Sequence, residues 1–370
     1  MKIAINCRSF LNEQTAGIGR YAKNLVQSLS EVDRQNTYLL YVQKNPFQFK
    51  KKVPRINAGN VQVKIDRFNL GLNRTLGRVD IYHSPSPDLI DYTGGRIIVT
   101  VHDLIYRTYP QGHTPQTIAA SQTQMEGIVK QSAKIICCSE STRRDLHQLF
   151  DLDESRTCVV YQGVDKELFY PLPDDQKDRA KEQLAAKGVE GPFLLFVGTI
   201  EPRKNIGNLL KAFALLKEKG RFGGKLVIAG MQGWMVEGLS GTINELKVKE
   251  DVLFLGYVSD EELRFLYNLA EIFVFPSFYE GFGYPLLEAF ACGAAVVTSN
   301  VSACPEVAAD AAFLADPQSH FEIAAKVSML LESAELKATL REKALRRAGD
   351  FSFRKTAEET LRVYEEVHET

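Results

Sequence analysis

Short apolar runs of strand length alternate with amphipathic helical stretches along almost the whole chain, and that alternation leaves few folds open. The first series is KIAIN, a helix over Ile18 to Leu29, TYLLYV, VDIYHS, RIIVTVHD, a helix over Thr114 to Ser132, AKIICCS, a helix after the N-cap candidate Ser139, and TCVVY. A second series comprises FLLFVG, a helix over Asn205 to Glu218, KLVIAG, a helix over Leu239 to Val248, VLFLG, a helix over Asp260 to Leu269, and IFVF. Runs that are apolar throughout, each followed by a helix, indicate parallel sheets covered on both faces. The reading is α/β, with two doubly wound parallel sheets in tandem. The charged, proline-punctuated stretch from Asp165 to Pro192 is the predicted boundary between them. Lys44 to Arg74 is polar and poorly periodic, so long loops are expected there around a weak strand at VQVKI. Phe353 to Val367 has apolar residues at helical spacing.

Composition removes several function classes. At 370 residues and 45% apolar content the chain can fill two cores. Its 45 lysines and arginines against 46 acidic residues leave a net charge of −1, so there is no global pull toward nucleic acid, and any anion site is local. Cys7, Cys137, Cys138, Cys158, Cys292 and Cys304 form no CxxC pair, a usage that fits a reducing cytoplasm. MKIAINCRSF enters a strand pattern at once, unlike a signal peptide, and no apolar run approaches the ~20 residues of a membrane span. The expectation is a cytoplasmic protein, at most bound to a membrane surface.

The chemistry-bearing residues cluster at strand ends. AEIFVFPSFYEGFGYPLLEAFACGAAVVTSN, from Ala270 to Asn300, reads as strand, glycine-broken loop, helix and strand. Glu280 opens the loop and Glu288 lies just inside the helix that Pro285 can start and Gly293 can stop. Ionised carboxylates accept hydrogen bonds and sugar hydroxyls donate them, so two carboxylates around backbone freed by Gly281 and Gly283 suit a polyhydroxylated ligand. Glutamate in a first helical turn is also simply favourable. In FVGTIEPRKN a buried strand ends at Gly198, and Arg203 and Lys204 are expected at the start of the next helix, an anion site of two cations and free amides. TVHDL places His102 and Asp103 at a strand end, where the histidine is either a donor to a substrate hydroxyl or a ring held by a backbone carbonyl. Gly17, Gly19 and Ala22 match G-x-G-x-x-A. About ten residues separate them from the first strand, and the second strand ends without an acid, which removes the nicotinamide reading and leaves a glycine turn at a helix entry.

Taken together, GIGRY, VHDL, CSESTRRDL, VVYQGVD, GTIEPRKN, FLGYVSDEEL, the E-x7-E spacing of PSFYEGFGYPLLEAFACG and the final FSFRKTAEETLRVYEEV resemble the retaining glycosyltransferases of family 4. The resemblance spans nearly the whole chain and implies the GT-B fold: two Rossmann-like domains facing a cleft, residues 1–170 on the acceptor side and 171–352 holding a nucleotide-sugar donor, with the helix 353–370 crossing back to the first. By motif position it implies that Glu288 accepts from the donor ribose. Glu280, Gly281, Phe282 and Gly283 would hold the transferred sugar, and Arg203 and Lys204 the diphosphate. Gly198 and Thr199 would line the donor, Tyr257 and Val258 would meet the nucleobase, His102 would lie beside the sugar, and Gly17, Ile18 and Gly19 would lie near the phosphate and acceptor. Thr199 departs from the pattern, since many members carry arginine there. GTIEPRKN is similar to the mannosyltransferases of bacterial surface polysaccharides, which implies GDP-mannose as donor and a glycan or lipid-linked saccharide as acceptor. The family implies no metal and no cofactor. The basic run Lys50 to Lys52 is a candidate for contact with anionic lipid, or a solvated loop.

Overall fold

The computed structural model describes all residues except 12–16, 48–55, 57, 89 and 234–237. Lys50 to Lys52 therefore lie outside the described residues. The chain divides into two compact units, Met1–Gly163 with Phe351–Thr370, and Val164–Asp350.

In the first unit, β1 (Lys2–Asn6), β2 (Thr37–Gln43), β3 (Val61–Asp66), β4 (Ile81–Ser84), β5 (Arg96–Val101), β6 (Lys134–Cys137) and β7 (Thr157–Val159) form one parallel sheet in the order β3-β2-β1-β4-β5-β6-β7. Neighbours outward from β1 reverse direction between β2 and β4, so the β1/β4 boundary is the topological switch point, where open sheets of this kind leave a crevice beyond their strand ends. Side chains alternate between the faces. Ala4, Leu39, Tyr41, Tyr82 and Val99 pack in one core cluster. The buried His83 and Thr100 bond instead with Tyr21 of α1 (Gly17–Val32) and with Tyr364 of the C-terminal helix Phe353–Glu369.

That last helix is tied to this unit by position-specific contacts. Ser352 caps it through the Lys355 amide, and Phe353, Ala357, Val363, Tyr364 and Val367 are buried along one face. Thr356 donates to the Tyr161 carbonyl at 2.8 Å, and Lys134 pairs with Glu366 at 2.5 Å. A Cβ on Gly163 would lie 2.1 Å from the Phe353 nitrogen, so the chain can pass the start of this helix only as glycine.

In the second unit, β8 (Phe193–Val197), β9 (Lys225–Ala229), β10 (Val252–Gly256), β11 (Ile272–Phe275), β12 (Val296–Ser299) and β13 (Phe313–Ala315) are parallel in the order β10-β9-β8-β11-β12-β13. Its switch point lies between β8 and β11. Three helices flank that point or support it: α2 (Ile206–Glu218) after β8, α3 (Asp260–Leu269) before β11, and α4 (Tyr284–Ala291) after it. α3 starts at a capping box in which Ser259 and Glu262 bond each other's backbone. Gly293, at φ 69°, ends the α4 turn as its pattern requires.

Among the strands and helices, a helix and a strand were not predicted, and one strand is firmer than its sequence suggested. The predicted boundary stretch contains a helix, Asp174–Ala185, because Ala180 and Leu184 fall one turn apart and are buried; it packs on α3 and belongs to the second unit. The weak strand is a full partner, since Val61–Asp66 pairs residue for residue with Tyr38–Gln43. β13 has no counterpart among the predicted strands, because three residues are too few to show a period. Among the described residues, no helix is long and apolar enough to cross a membrane.

The ends of β8 and β9 approach so closely that a Cβ on Gly230, at φ 148°, would lie 2.0 Å from the Gly198 carbonyl oxygen. Gly230→Ala is expected to lower the urea midpoint of the chain by the equivalent of about 2 kcal/mol or more. Gly207→Ala, in the open first turn of α2 with nothing within 4 Å of the added carbon, should raise it slightly, by up to about 1 kcal/mol.

Candidate active site

The switch point of the second unit gathers the residues singled out in the sequence. β8 ends at Val197, Gly198 and the exposed Thr199 follow, and the chain then makes a 3-10 turn, Pro202–Lys204. Arg203 and Lys204 thus precede α2 instead of occupying its first turn. Asn205 separates them from it in the left-handed conformation, at φ 60°, and is held there because its amide donates to the carbonyls of Pro276 at 2.9 Å and Pro317 at 2.6 Å. Carboxylates balance the two cations.

Lys204 Nζ lies 2.7 Å from Glu280 Oε1, and Arg203 Nη1 lies 2.8 Å from Glu280 Oε2. The other Arg203 nitrogen, Nη2, meets Glu201 Oε1 at 2.5 Å, and Nη1 also donates to the Tyr279 carbonyl at 2.7 Å. Lys204 stands over the Phe275 ring, 4.9 Å from its centre. Burial alone would push the Glu280 carboxyl up, but the adjacent Arg203 and Lys204 charges outweigh it and hold the value at about 2. Burial lowers the Lys204 value, with Glu280 pulling the other way. Two cations and two carboxylates leave this cluster formally neutral, so an incoming anion must draw Arg203 or Lys204 away from Glu280 or share them with it.

Glu280 is fixed from its backbone too, its amide donating to Ser302 Oγ at 2.9 Å. The loop then runs through Gly281 and the buried Phe282 to Gly283, whose φ of 95° turns the chain into α4 with Pro285 in the first turn. Glu288, 4% exposed, lies one face further along α4 and accepts from the Tyr267 hydroxyl of α3 at 3.0 Å. Beyond β10, Tyr257 is exposed and Val258 half-buried. Gly256, directly before them, lines a cavity of about 650 Å³ together with Gly230, Gln232, Ile243 and Phe254.

The first unit carries the remaining candidates. Gly17, Ile18 and Gly19 form the first turn of α1 itself, with Gly17 and Ile18 exposed and Gly19 buried. His102, directly after β5, has both ring nitrogens occupied: Nε2 lies 2.7 Å from the Pro85 carbonyl oxygen and Nδ1 2.9 Å from Gln162 Nε2. Burial lowers its pKa, which favours the neutral ring.

Several partners were not visible in the sequence. Glu201 had a signal, an acid two residues before the cations. Gln162 closes the TCVVY strand, but nothing local showed that it meets a histidine 60 positions earlier. At the β1/β4 switch point, Asp88 accepts from Asn6 at 3.3 Å, Arg8 at 3.3 Å and Ser86 at 2.8 Å, a cluster drawn from the end of β1, the turn after it and the loop after β4.

Two doubly wound parallel sheets in one chain are the GT-B architecture, and ionic and hydroxyl-accepting groups gather at the second sheet's switch point. Residues 15–168 match the family described as Glycosyltransferase Family 4, and residues 176–347 that described as Glycosyl transferases group 1. The O-antigen chain mannosyltransferase B of Escherichia coli is 32% identical over 285 residues, 77% of this chain and 74% of that protein. Among solved structures, sucrose-phosphate synthase from Thermosynechococcus elongatus superposes with a TM-score of 0.79 at 20% identity, over 99% of this chain and 98% of that one. Anabaena HepE, solved in complex with UDP-glucose, gives 0.76 at 18% identity, over 99% and 100%. The chain belongs to the family 4 glycosyltransferases.

The Glu280 cluster has a pH signature. Its folded value of about 2 lies below the ordinary 4.5, so its stabilising contribution is complete above about pH 4.5 and is lost as pH falls toward 2. Thermal unfolding measured across that window should show a decline that Glu280→Gln reduces. At pH 7 the same substitution, by leaving two buried cations short of a partner, should cost about 3 kcal/mol.

Proposed function

We propose that this glycosyltransferase moves mannose from GDP-mannose to a hydroxyl of a glycan or lipid-linked saccharide, with retention at the anomeric carbon and without a metal. The observation that carries the reading is the buried cluster of Arg203 and Lys204 around Glu280. A departing nucleoside diphosphate gains negative charge as the anomeric C–O bond breaks, and two pre-placed cations in a site shielded from water stabilise that charge. As they turn to the diphosphate, Glu280 is released to accept from a hydroxyl of the transferred sugar, with Gly281, Phe282 and Gly283 beside it. Glu288, set by Tyr267, accepts from the ribose. The cavity beside Gly256 takes the base, next to Tyr257 and Val258. Gly198 and Thr199 line the donor, and Gly17, Ile18, Gly19 and His102 of the first unit serve the phosphate, sugar and acceptor. In a front-face route the acceptor oxygen bonds to the anomeric carbon on the side the phosphate leaves, and the leaving phosphate oxygen takes the acceptor's proton. No carboxylate nucleophile is then required, unlike a double displacement. The mannose assignment rests on the Escherichia coli relative and on the GTIEPRKN motif. Contact of Lys50 to Lys52 with anionic lipid at the cytoplasmic membrane face belongs to the same reading.

GDP-mannose is expected to raise the melting temperature more than UDP-glucose; stabilisation by UDP-sugars alone would reassign the donor. Lys204→Ala should lower turnover at least a hundredfold, of the order of 3 kcal/mol in the barrier, and near-normal turnover would remove the diphosphate role. Chelator should leave activity unchanged, and the product's anomeric configuration, read by NMR coupling constants, should match the donor's.

A further inference from the structure

His102 is held by groups of its own unit at both ring nitrogens and at its carbonyl. A carbonyl oxygen only accepts, so the 2.7 Å contact with Pro85 O places the ring proton on Nε2. A neutral imidazole has one N–H, which leaves Nδ1 as a lone pair. It therefore accepts from the Gln162 amide at 2.9 Å. The reverse orientation of that amide would set an oxygen against a lone pair, so the two contacts fix each other.

We infer that Gln162 is a positioning residue for the transferase reaction: donating to Nδ1 opposite the Pro85 carbonyl, it reinforces the Nε2–H tautomer of His102 and sets the plane of its ring, so that the N–H has one defined direction. A sugar hydroxyl that replaces Pro85 O would meet that N–H as a donor. The catalytic side of the inference rests on the role of His102 in the proposed function.

The surroundings leave the ring little freedom. Tyr21 of α1 stands edge-on to it, with centroids 5.1 Å apart and an interplanar angle of 81°. Behind it, the Cys138 thiol and the Thr142 hydroxyl both donate to the His102 carbonyl, at 2.9 and 3.3 Å. The Asp103 carboxylate accepts from the Ile105 amide, and His83 is a buried neutral neighbour, its pKa pushed down to about 3 by burial. Gln162 is only 4% exposed, and Gly163 after it passes the Phe353 backbone too closely for any side chain. Such a constellation, with its support locked by packing and hydrogen bonds, holds a group to the small tolerance that transfer chemistry demands.

The test uses enzyme labelled with ¹⁵N at histidine, with the His102 signals assigned from their loss in His102→Asn. Long-range ¹H–¹⁵N correlation should show Nδ1 unprotonated and Nε2 protonated. Gln162→Glu puts an acceptor where the donor was, so the proton should move to Nδ1 or the ring should stay charged to higher pH. Gln162→Met, similar in length but without a donor, leaves the Pro85 carbonyl alone to hold the proton on Nε2, so a minor Nδ1–H population should appear beside it. With GDP-mannose as donor and methyl α-mannoside as probe acceptor, both variants should lose kcat ten- to a hundredfold, while KM for GDP-mannose stays within threefold. A wild-type Nδ1–H tautomer overturns the inference, as do variants with wild-type spectrum or wild-type kcat. Wild-type enzyme that shows the Nε2–H tautomer yet neither binds nor turns over a nucleotide-sugar would refute the proposed function and leave the tautomer selection standing.

Discussion

The second unit depends on one buried carboxylate between two cations. Glu280 lies beyond the end of β11 and Arg203 and Lys204 beyond the end of β8, and these strands are neighbours only because the sheet order reverses there. Bringing four charged side chains out of water costs several kcal/mol per ion, and the pairings roughly offset that cost. The cluster is better understood as a poised electrostatic device than as a source of stability. Its cations are already desolvated and aimed, and their present partner is a group that can itself turn to a sugar.

The first unit solves its own interior by the opposite means. At the β4–β5 boundary the buried groups are neutral: His83 bridges Tyr364 and Thr100, and Thr100 in turn meets Tyr21. A satisfied neutral network specifies geometry without the desolvation cost of ions. The last helix of the chain enters this network through Tyr364, so the end of the sequence helps set the interior beneath the strand ends where His102, Ser84 and Asn6 lie. Both units put their polar groups at the same place in the sheet, outside the carboxyl ends of the strands beside a switch point.

Much of the fold was legible because buried parallel strands announce themselves as apolar runs, and all but the half-buried β3 and the three-residue β13 had such a run. Of the site, the members carried by local motifs, Glu280, Glu288, Arg203, Lys204 and His102, could be named. What each does in the folded chain could not. The 3-10 turn that removes Arg203 and Lys204 from α2 depends on Asn205 adopting a left-handed conformation, stabilised by the carbonyls of Pro276 and Pro317, which are 71 and 112 positions away. The helix Asp174–Ala185 was hidden by its high charge, since only Ala180 and Leu184 of its face are buried.

The sequence by itself determined the α/β class, the tandem arrangement and the identity of the residues at the strand ends, because period, glycine placement and helix-start chemistry are local properties. Only the tertiary structure decided the charge state and partners of those residues. Whether Glu280 is ionised depends on the two cations beside it, and which nitrogen of His102 carries the proton depends on Pro85 and Gln162. Those partners arrive from other strands, and no spacing along the chain encodes their approach.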